Sequence, residues 1–301
     1  MSKVLILFYN TMWDATIDTR AKLPDGFEIT ADRRRYADAS AAVFHIPSMK
    51  WTPRFLFPRK LPRQLWVAWS MESRENYARL RDESFMRNFD LTMTYRLNSD
   101  VPQLYFSYYS TVQELAHALR RPPQLKTADA LAVMFISSRV DRSGRRAHAR
   151  ELMRYLRVDS YGKFLRNKTI PNDRGRPSKN EIIARYKFTL AFENSISEDY
   201  VTEKFFDPLV FGSVPVYLGA PNVARFAPGD HSFINVADFP SPRVLADYLN
   251  QLGRDETEYQ TYFAWKEKPF LPAFSQMLVI QEKDSLAQLC ERVRACLAAR
   301  A

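Results

Sequence analysis

The stretch YKFTLAFENSISEDYVTEKFFDPLVFGSVPVYLG, residues 186–219, decides the fold of this chain. Its apolar run at 187–192 predicts one buried strand, and the run at 213–219 predicts a second. Between them, Thr202 is suited to cap a helix, and Gly212 is suited to the position that follows a helix. The stretch therefore predicts a strand, a helix and a strand, which is the repeating unit of a parallel α/β sheet.

The same alternation extends along the chain in both directions. Strands are also predicted at 3–9, 41–46, 64–70, 91–97, 130–137 and 158–162. Further helices are predicted at 143–157, 244–252 and 285–300. Strands that alternate with helices in both halves predict two α/β domains whose sheets are largely parallel.

A polar stretch at 118–129 contains two consecutive prolines and predicts the domain boundary. We therefore expect an N-terminal domain at 1–125 and a C-terminal domain at 126–301. The last helix carries apolar side chains at helical spacing, which predicts a side that faces a core. These side chains are Leu286, Leu289, Val293 and Leu297. The helix could return to pack on the N-terminal domain.

The composition is that of a globular protein with an excess of positive charge. The 301 residues include 44 Lys and Arg against 34 Asp and Glu, which gives a formal net charge of +10. No run of about 18 apolar residues is present, and the apolar run after Lys3 is too short for a signal peptide. We expect a soluble chain, or at most one peripheral at a membrane. The charge fits a solvated surface or attraction to nucleotide phosphates, nucleic acid or lipid.

Cysteine and histidine usage argues against disulfides and zinc. Cys290 and Cys296 would point to different faces of a helix, so they are not expected to pair, and such usage is typical of a reducing compartment. The four histidines are isolated in the sequence. The chain has no glycine-rich phosphate loop, and because it also has no D-x-D pair to hold Mg²⁺ or Mn²⁺, we expect no metal site.

Acidic residues gather around a single cation, Lys204, inside the stretch 186–219. They are Glu193, Glu198, Asp199, Glu203 and Asp207. Lys204 and Glu203 would lie in the first turn of the predicted helix, where free N–H groups suit a phosphate. Glu203 would stay ionised there and could accept hydrogen bonds from hydroxyl groups. This combination predicts a sugar-nucleotide site, and an ordinary capped helix with acidic first-turn residues is the alternative.

A candidate general base follows the strand predicted at 64–70. Glu72 stands just beyond that strand, between bulky residues, with Glu75 and Asn76 a little further on. A carboxylate placed in this way at a cleft can have a raised pKa and can act as a general base. A solvated loop charge is the simpler alternative.

At these residues the sequence resembles the α-1,3-fucosyltransferase family. The stretch 186–219 contains FEN, DYVTEK and VPV, which recur in that family, and shorter blocks resemble it in the same order. These blocks are WSMESRENY, TYRLNSDVP, VDSYG, HSFINVADF and YFAWK. The resemblance covers roughly residues 66–268. It is strongest to the enzymes that fucosylate the innermost GlcNAc of chitobiose-type glycans.

The resemblance implies a GT-B fold, in which two Rossmann-like α/β domains face a central cleft. The N-terminal domain would bind the acceptor, and the C-terminal domain would bind GDP-fucose. The implied reaction is an inverting transfer of L-fucose from GDP-fucose to the 3-hydroxyl of a GlcNAc residue in an oligosaccharide. Glu72 would be the general base, and Ser73 and Asn76 are candidates for acceptor binding.

The resemblance also implies a donor site. Lys204 and Arg145 would neutralise the diphosphate, and Glu203 would accept hydrogen bonds from fucose hydroxyls. Asn194 and Tyr200 would line the nucleotide pocket. Since basic residues could replace a divalent ion, no cofactor is expected to be essential, although some relatives are stimulated by Mn²⁺ and stimulation by Mn²⁺ or Mg²⁺ is compatible with this reading.

The remaining carboxylates of the stretch have simpler expected roles. We expect Glu193 and Asp199 to orient the loop, and Glu198 and Asp207 to be surface charges. Pro208 falls inside the predicted helix, where it should remove a backbone hydrogen bond and could bend the helix.

The sequence also departs from the family pattern. Relatives usually carry S-N-C where this chain has Ser137-Ser138-Arg139, and a Cys where it has Phe164. The disulfides of secretory relatives are therefore not expected, and no N-terminal anchor or stem is seen. These departures imply a cytoplasmic, bacterial form of the family.

Two other classes of function compete with the transferase. A basic protein with 14 % aromatic residues could bind nucleic acid, although its cations are spread along the chain. An inactive relative that only binds glycans is the other alternative. The sequence does not decide among LacNAc, chitin oligomers, N-glycan cores and bacterial surface glycans as acceptors.

Overall fold

A computed structural model describes residues 3–17, 23–49, 58–106 and 111–300 of the chain. The chain forms two compact units. The first unit combines Met1–Leu104 with Ile280–Ala301, and the second unit is Tyr105–Val279. None of the helices in the described ranges has the length and apolarity needed to cross a bilayer.

The first unit is built on a parallel sheet of six strands, whose order is β2-β1-β3-β4-β5-β6. The strands are β1 (Val4–Phe8), β2 (Phe27–Thr30), β3 (Ala41–His45), β4 (Leu65–Ser70), β5 (Leu91–Thr94) and β6 (Val101–Pro102). Two short helices, α1 (Ala78–Arg81) and α2 (Glu83–Met86), connect β4 to β5. Every residue of β4 is buried, as expected for a parallel strand covered on both faces.

The second unit contains a parallel sheet of five strands in the order β11-β10-β9-β7-β8. In chain order its elements are α3 (Val112–Arg120), β7 (Ala132–Met134), α4 (Arg145–Leu152), β8 (Val158–Ser160), α5 (Arg176–Ala184), β9 (Phe188–Phe192), α6 (Glu203–Phe211), β10 (Val214–Leu218), β11 (Ile234–Asn235), α7 (Pro242–Arg254), α8 (Glu256–Thr261) and α9 (Pro272–Glu282). The predicted class, two α/β units with parallel sheets, is therefore confirmed.

The last helix, α10 (Ser285–Ala298), packs on the sheet of the first unit. Leu289, Cys290 and Val293 are fully buried against this sheet, which confirms the predicted apolar side of the helix. Leu286 and Leu297 are partly buried against the same cluster. Both cysteines are free thiols.

The proline-containing stretch at 118–129 packs as part of the second unit, and the units divide at Leu104, earlier than the predicted boundary at 125. Lys126 Nζ donates a hydrogen bond to the carbonyl of Ala184 at 3.0 Å and another to the carbonyl of Gly212. Lys126, one of the polar residues that suggested a linker, therefore binds this stretch to the C-terminal ends of α5 and α6.

Several elements escaped the sequence reading. The strands β2, β6 and β11 are short, and α5 is not among the helices predicted above. The helix α6 runs through Pro208 to Phe211 without interruption, and Gly212 then ends it with a left-handed φ of 72°. The lost hydrogen bond at Pro208 is tolerated because the helix is otherwise capped and buried.

Candidate active site

The N-terminus of α6 lies just beyond the carboxyl end of β9 and carries the central cation of the site. Thr202 caps the helix, since its hydroxyl accepts a hydrogen bond from the backbone N–H of Lys204. Lys204 Nζ lies 3.0 Å from the Thr202 hydroxyl, 3.1 Å from Glu203 Oε1 and 3.4 Å from Glu193 Oε2. Its side chain keeps 26 % of its exposure, so the cation is held in place on a side chain that still reaches the surface.

Glu193 holds Thr202 and Lys204 in these positions. Its carboxylate is fully buried and accepts hydrogen bonds from the backbone N–H and the hydroxyl of Thr202, both at 2.8 Å. Its backbone carbonyl accepts a further bond from the Ser143 hydroxyl at 2.6 Å. Glu193 thus joins the end of β9 to the cap of α6, which agrees with the expected role of orienting the loop.

The titration of these groups follows from burial and from their mutual attraction. Burial alone would lower the pKa of the Lys204 ammonium, but the carboxylates of Glu193 and Glu203 outweigh it and raise the pKa above its ordinary value. Burial would raise the pKa of Glu203, but Lys204 and Lys179 lower it to about 2. Burial raises the pKa of Glu193, although Lys204 opposes the shift.

A second set of charges supports the site from α5. Asp207 is buried, and its carboxylate pairs with Arg176 at 2.8 Å and with Lys179 at 3.0 Å. The expectation that Asp207 is a surface charge is therefore wrong: a buried carboxylate needs partners, and α5 supplies two. We call Glu193, Glu203, Asp207, Arg176, Lys179 and Lys204 the α6 cluster.

The loop before α6 is held in one conformation by a reciprocal pair of hydrogen bonds. Asp199 has a left-handed φ of 64°, and its backbone N–H donates to Asn222 Oδ1 at 2.9 Å. Asn222 Nδ2 donates in return to Asp199 Oδ1 at 2.8 Å. The expected orienting role of Asp199 agrees with this geometry, and Glu198 is exposed.

Tyr200 and Asn194 differ in how accessible they are. Tyr200 is buried, its ring meets the ring of Tyr105 edge to face, and its carbonyl accepts a hydrogen bond from the Tyr217 hydroxyl at 3.2 Å. Asn194 is half-buried, and its carbonyl accepts from the backbone N–H of Arg142 at 2.7 Å. Of these two predicted nucleotide-pocket residues, Tyr200 is placed to support the loop and Asn194 lies nearer its surface.

Arg145 is placed differently from the prediction. Its guanidinium is buried and donates to the carbonyls of Phe192, Ser138 and Val140 at 3.0 to 3.3 Å. Burial also lowers the pKa of this guanidinium. Arg145 therefore supports the loops after β7 and β9 instead of projecting from α4.

Gly219 is required where β10 ends. A Cβ added at this position would lie 2.4 Å from the hydroxyl oxygen of Tyr217 and 2.7 Å from Cγ of Glu193. Such contacts are closer than packed atoms tolerate, so only glycine lets β10 pass the buried carboxylate. The end of β10 and the cap of α6 are therefore coupled through Glu193.

In the first unit, Glu72 lies just after the carboxyl end of β4. The Ser70 hydroxyl donates to the Glu72 carbonyl at 3.0 Å, and the N–H of Glu72 points back to the same hydroxyl at 3.1 Å. Glu72 is half-buried and lines a cavity of about 330 Å³. Other residues that line this cavity are Ser70, Arg74, Leu80, Met86, Thr92, Thr94, Tyr95, Arg96, Asn98 and Ser99. The cavity therefore has both polar and apolar walls, and a carboxylate beside a cavity of this size can meet a hydroxyl group of a sugar.

The two acceptor candidates next to Glu72 form a turn. Ser73 is fully buried, its hydroxyl accepts from the N–H of Glu75 at 3.2 Å, and its carbonyl accepts from the N–H of Asn76 at 3.0 Å. Ser73 therefore shapes the loop that carries Glu72. Asn76 is half-buried in the same turn.

The structure brings the predicted donor residues together around the α6 cluster, and the acceptor candidates around Glu72 in the first unit. It also adds Arg176 and Lys179, which the sequence reading missed. Their spacing of three residues is that of one helix face, but the segment reads as a loop because Gly175 and Pro177 stand beside them. In the described part of the chain, no group of three His, Cys, Asp or Glu side chains could hold a metal ion.

Comparisons with known proteins identify the fold and the family of this chain. A crystal structure of an α1,3-fucosyltransferase with GDP-fucose superimposes with a TM-score of 0.56 at 20 % sequence identity, covering 98 % of this chain and 90 % of that one. The fold is therefore GT-B-like. Residues 125–300 match the family described as glycosyltransferase family 10 (fucosyltransferase), C-terminal, and residues 1–106 match the N-terminal domain of fucosyltransferases. The chain belongs to glycosyltransferase family 10, the fucosyltransferases.

Curated relatives fall into two groups by name. GDP-fucose protein O-fucosyltransferase 3 of dog is 39 % identical over 223 residues, which are 70 % of this chain and 46 % of that protein. The 4-galactosyl-N-acetylglucosaminide 3-alpha-L-fucosyltransferase FUT6 of chimpanzee is 38 % identical over 245 residues, which are 79 % of this chain and 65 % of that protein. The chain thus spans about half the length of the first of these relatives and just under two thirds of the second.

Proposed function

We propose that this fucosyltransferase moves L-fucose from GDP-fucose to the 3-hydroxyl of a GlcNAc residue in an oligosaccharide, with inversion at the fucose carbon. The observation that carries the proposal is the Lys204 ammonium at the N-terminus of α6, held between Glu193 and Glu203 on a side chain that stays partly exposed. A helix N-terminus with a fixed cation matches the charge that develops on a departing diphosphate.

The donor chemistry follows from this geometry. As the bond between fucose C1 and the diphosphate oxygen breaks, negative charge grows on GDP, and Lys204 and the first N–H groups of α6 stabilise it. Glu203 stays ionised because its pKa is held at about 2, so it can accept hydrogen bonds from fucose hydroxyls. Arg145 acts through the loops that it supports and is a positioning residue in this scheme.

The acceptor chemistry rests on Glu72. Its carboxylate takes the proton of the acceptor hydroxyl while the hydroxyl oxygen forms a bond to fucose C1 on the side opposite the leaving group. One displacement of this kind inverts the β-linkage of the donor to an α-linkage in the product. The cavity beside Glu72, which has polar and apolar walls, would hold the sugar that carries this hydroxyl. Because Lys204 supplies the positive charge, we propose that no metal ion is essential.

A second acceptor is favoured by one observation. The dog relative, named a protein O-fucosyltransferase, is as similar to this chain as the relative named for N-acetylglucosaminide. A serine or threonine hydroxyl of a protein is therefore the alternative acceptor, and the donor chemistry would be unchanged.

Mass spectrometry of acceptors incubated with the chain and GDP-fucose tests both versions. The panel is LacNAc, chitobiose, chitotetraose, a trimmed N-glycan and folded proteins with exposed serine and threonine, with GDP-mannose as the control donor. Addition of a deoxyhexose to a glycan supports the first acceptor, and addition to a protein hydroxyl supports the second. A chain that neither transfers nor hydrolyses GDP-fucose, with or without Mn²⁺, would contradict the proposal. Activity that is lost in EDTA and restored by Mn²⁺ would contradict metal independence.

A further inference from the structure

A basic surface that the proposed reaction does not use lies on the loops after β7 and β8 and on the neighbouring face of α4. We call it the basic rim. Its exposed or half-buried cations are Arg139, Arg142, Arg146, Arg150, Lys163 and Arg166. In the described ranges of the chain, none of these cations forms an ion pair with a carboxylate.

Backbone and ring contacts make the rim one continuous surface. The N–H of Phe164, after β8, donates to the carbonyl of Ile136, after β7, at 2.9 Å. The guanidinium carbons of Arg146 and Arg150 lie 4.6 and 5.3 Å from the centre of the Phe164 ring. These contacts join the two loops and the start of α4 into one surface.

The carboxylates on the same loops and helix are engaged by other groups: Glu151 pairs with Arg154 at 3.0 Å, and Asp173 accepts the backbone N–H of Gly175 at 2.7 Å. Asp141 is the one carboxylate in the sequence between β7 and α4. Its two oxygens accept the backbone N–H groups of Arg145 and Arg146 at 3.0 and 3.1 Å, so its charge serves the start of α4. Unpaired cations at this density create a field that attracts a surface of negative charge.

Each of the two loops also exposes an aliphatic side chain among the cations. Val140 is 41 % exposed and Leu165 is 39 % exposed. Leu165 has a left-handed φ of 49°, a conformation that a leucine rarely adopts. The carbonyl of Val140 is anchored by the buried guanidinium of Arg145 at 3.0 Å. Both aliphatic side chains are therefore held outward by a fixed backbone.

We propose that the basic rim binds the surface of an anionic membrane. The arginine and lysine side chains would contact lipid phosphates, and Val140 and Leu165 would enter the boundary between head groups and acyl chains. A soluble polyanion would use the cations alone and leave the two aliphatic side chains without a role. A single-stranded nucleic acid would need exposed aromatic faces, whereas Phe164 is buried beneath Arg146 and Arg150.

The rim adjoins the proposed donor site. The N–H of Arg142 donates to the carbonyl of Asn194, and the hydroxyl of Ser143 donates to the carbonyl of Glu193. Membrane binding at the rim would therefore bring the donor site close to lipid head groups, which suits an acceptor glycan carried on a lipid. This last step rests on the proposed function, whereas membrane binding itself does not.

Sedimentation with vesicles tests the proposal without using enzyme activity. The full chain is mixed with vesicles of phosphatidylcholine and phosphatidylglycerol in equal parts, or of phosphatidylcholine alone, at low and high salt. We expect binding to the anionic vesicles only, weakened by salt. The triple variant Arg139→Ser, Lys163→Ser, Arg166→Ser should partition about 100-fold less, because each cation near an anionic bilayer strengthens binding roughly fivefold. The proposal is overturned if this triple variant binds as well as the unchanged chain.

A matched control variant distinguishes binding by the basic rim from attraction by the net charge of the chain. The triple variant Arg225→Ser, Arg254→Ser, Lys268→Ser removes the same number and kinds of exposed cations from elsewhere on the second unit. We expect it to lose only a few-fold in binding, because these cations lie outside the rim. An equal loss in the two triple variants would show attraction by overall charge and would overturn a specific surface.

The aliphatic side chains distinguish a membrane from a soluble polyanion. The pair Val140→Ser and Leu165→Asn should lower vesicle binding about fivefold and leave binding to heparin unchanged. Asparagine tolerates the left-handed backbone, so the second change preserves the loop. The control pair Leu125→Asn and Val244→Ser replaces exposed aliphatic side chains outside the rim and should have no effect. Vesicle binding that is unaffected by the rim pair would assign the rim to a soluble polyanion and overturn the proposal.

Discussion

The α6 cluster and the cavity beside Glu72 organise charge in opposite ways. In the α6 cluster, the buried carboxylate of Glu193 and the half-buried carboxylate of Glu203 hold Lys204 through contacts of 3.4 and 3.1 Å, and helix α5 pairs with Asp207 of the same cluster. Glu72 instead lines an open cavity whose other walls are mostly strand ends and loop residues, with Leu80 of α1 and Met86 of α2. A network of buried pairs tolerates little change, whereas a loop-lined cavity can change its lining at low cost. We therefore expect substitutions in the α6 cluster to be tolerated less well than substitutions in the lining of this cavity.

The largest expected effect comes from Glu72→Gln. This change removes the proposed base and keeps the shape of the side chain, so transfer should slow on the order of 1,000-fold while GDP affinity stays the same. Initial rates and calorimetric titration with GDP measure the two quantities. The control is Glu75→Gln, a neighbouring carboxylate that contacts Arg74 and Arg81 and should keep most activity. Normal transfer by Glu72→Gln would remove Glu72 from the mechanism.

Lys204→Ala tests the α6 cluster as the proposed donor site. We expect transfer to fall about 100- to 1,000-fold and GDP to bind more weakly, because the leaving group loses its cation. Stability should fall by roughly 3–5 kcal/mol, since Glu193 keeps a buried charge without its partner. Urea unfolding and kinetics measure the two effects, and Lys187→Ala, which removes an ion pair with Glu256, serves as the control. If GDP affinity is unchanged in Lys204→Ala, the donor assignment is wrong.

Gly219→Ala probes the same cluster without removing a charge. The added Cβ must displace Glu193 or Tyr217, which should cost about 1–3 kcal/mol of unfolding free energy. Because Glu193 positions Thr202 and Lys204, transfer should fall as well. Denaturant unfolding and kcat/KM provide the measurements. A variant with unchanged stability and activity would show that β10 and the cap of α6 are not coupled.

As the pH falls, the first unit should lose stability at a higher pH than the α6 cluster does. His45 lies buried in β3, and burial lowers its pKa to about 4 from an ordinary value of 6.5. The unfolded chain therefore binds the proton first, so stability is full above about pH 6.5 and falls as the pH drops toward 4. We expect a loss of about 2 kcal/mol between pH 7 and pH 5 from this residue.

Unfolding of His45→Gln across the same pH range tests this expectation. The variant should lack the loss that is due to His45, whereas His117→Gln, at an exposed histidine of α3, should retain it. Glu203, whose pKa is lowered from 4.5 to about 2, keeps its full contribution above about pH 4.5 and loses it as the pH falls from there toward 2. Equal pH dependence in both histidine variants would contradict the assignment to His45.

The sequence predicted the core of the second unit well, because local signals agree there. The apolar runs on either side of α6, the cap at Thr202 and the stop at Gly212 all appear in the structure within a residue or two. Apolar spacing in α10 likewise predicted its buried side. Such elements are specified by short-range patterns that tertiary packing does not override.

The supporting charges could not be predicted, because they depend on pairing across the chain. Asp207 reads as a surface charge until α5 brings Arg176 and Lys179 against it, about 30 residues away in sequence. Arg145 reads as a basic helix residue until its guanidinium meets carbonyls from two other loops. The short strands β2 and β11 also escaped, since a few residues carry too little periodicity to be recognised.

The balance of charge in the α6 cluster has a thermodynamic consequence. Three cations, Arg176, Lys179 and Lys204, stand against three carboxylates, Glu193, Glu203 and Asp207, so the ionised cluster is neutral. A diphosphate bound there adds negative charge beside a buried carboxyl group, Glu193, whose pKa is already raised. Binding of GDP should therefore be accompanied by proton uptake, and GDP affinity should rise as the pH falls.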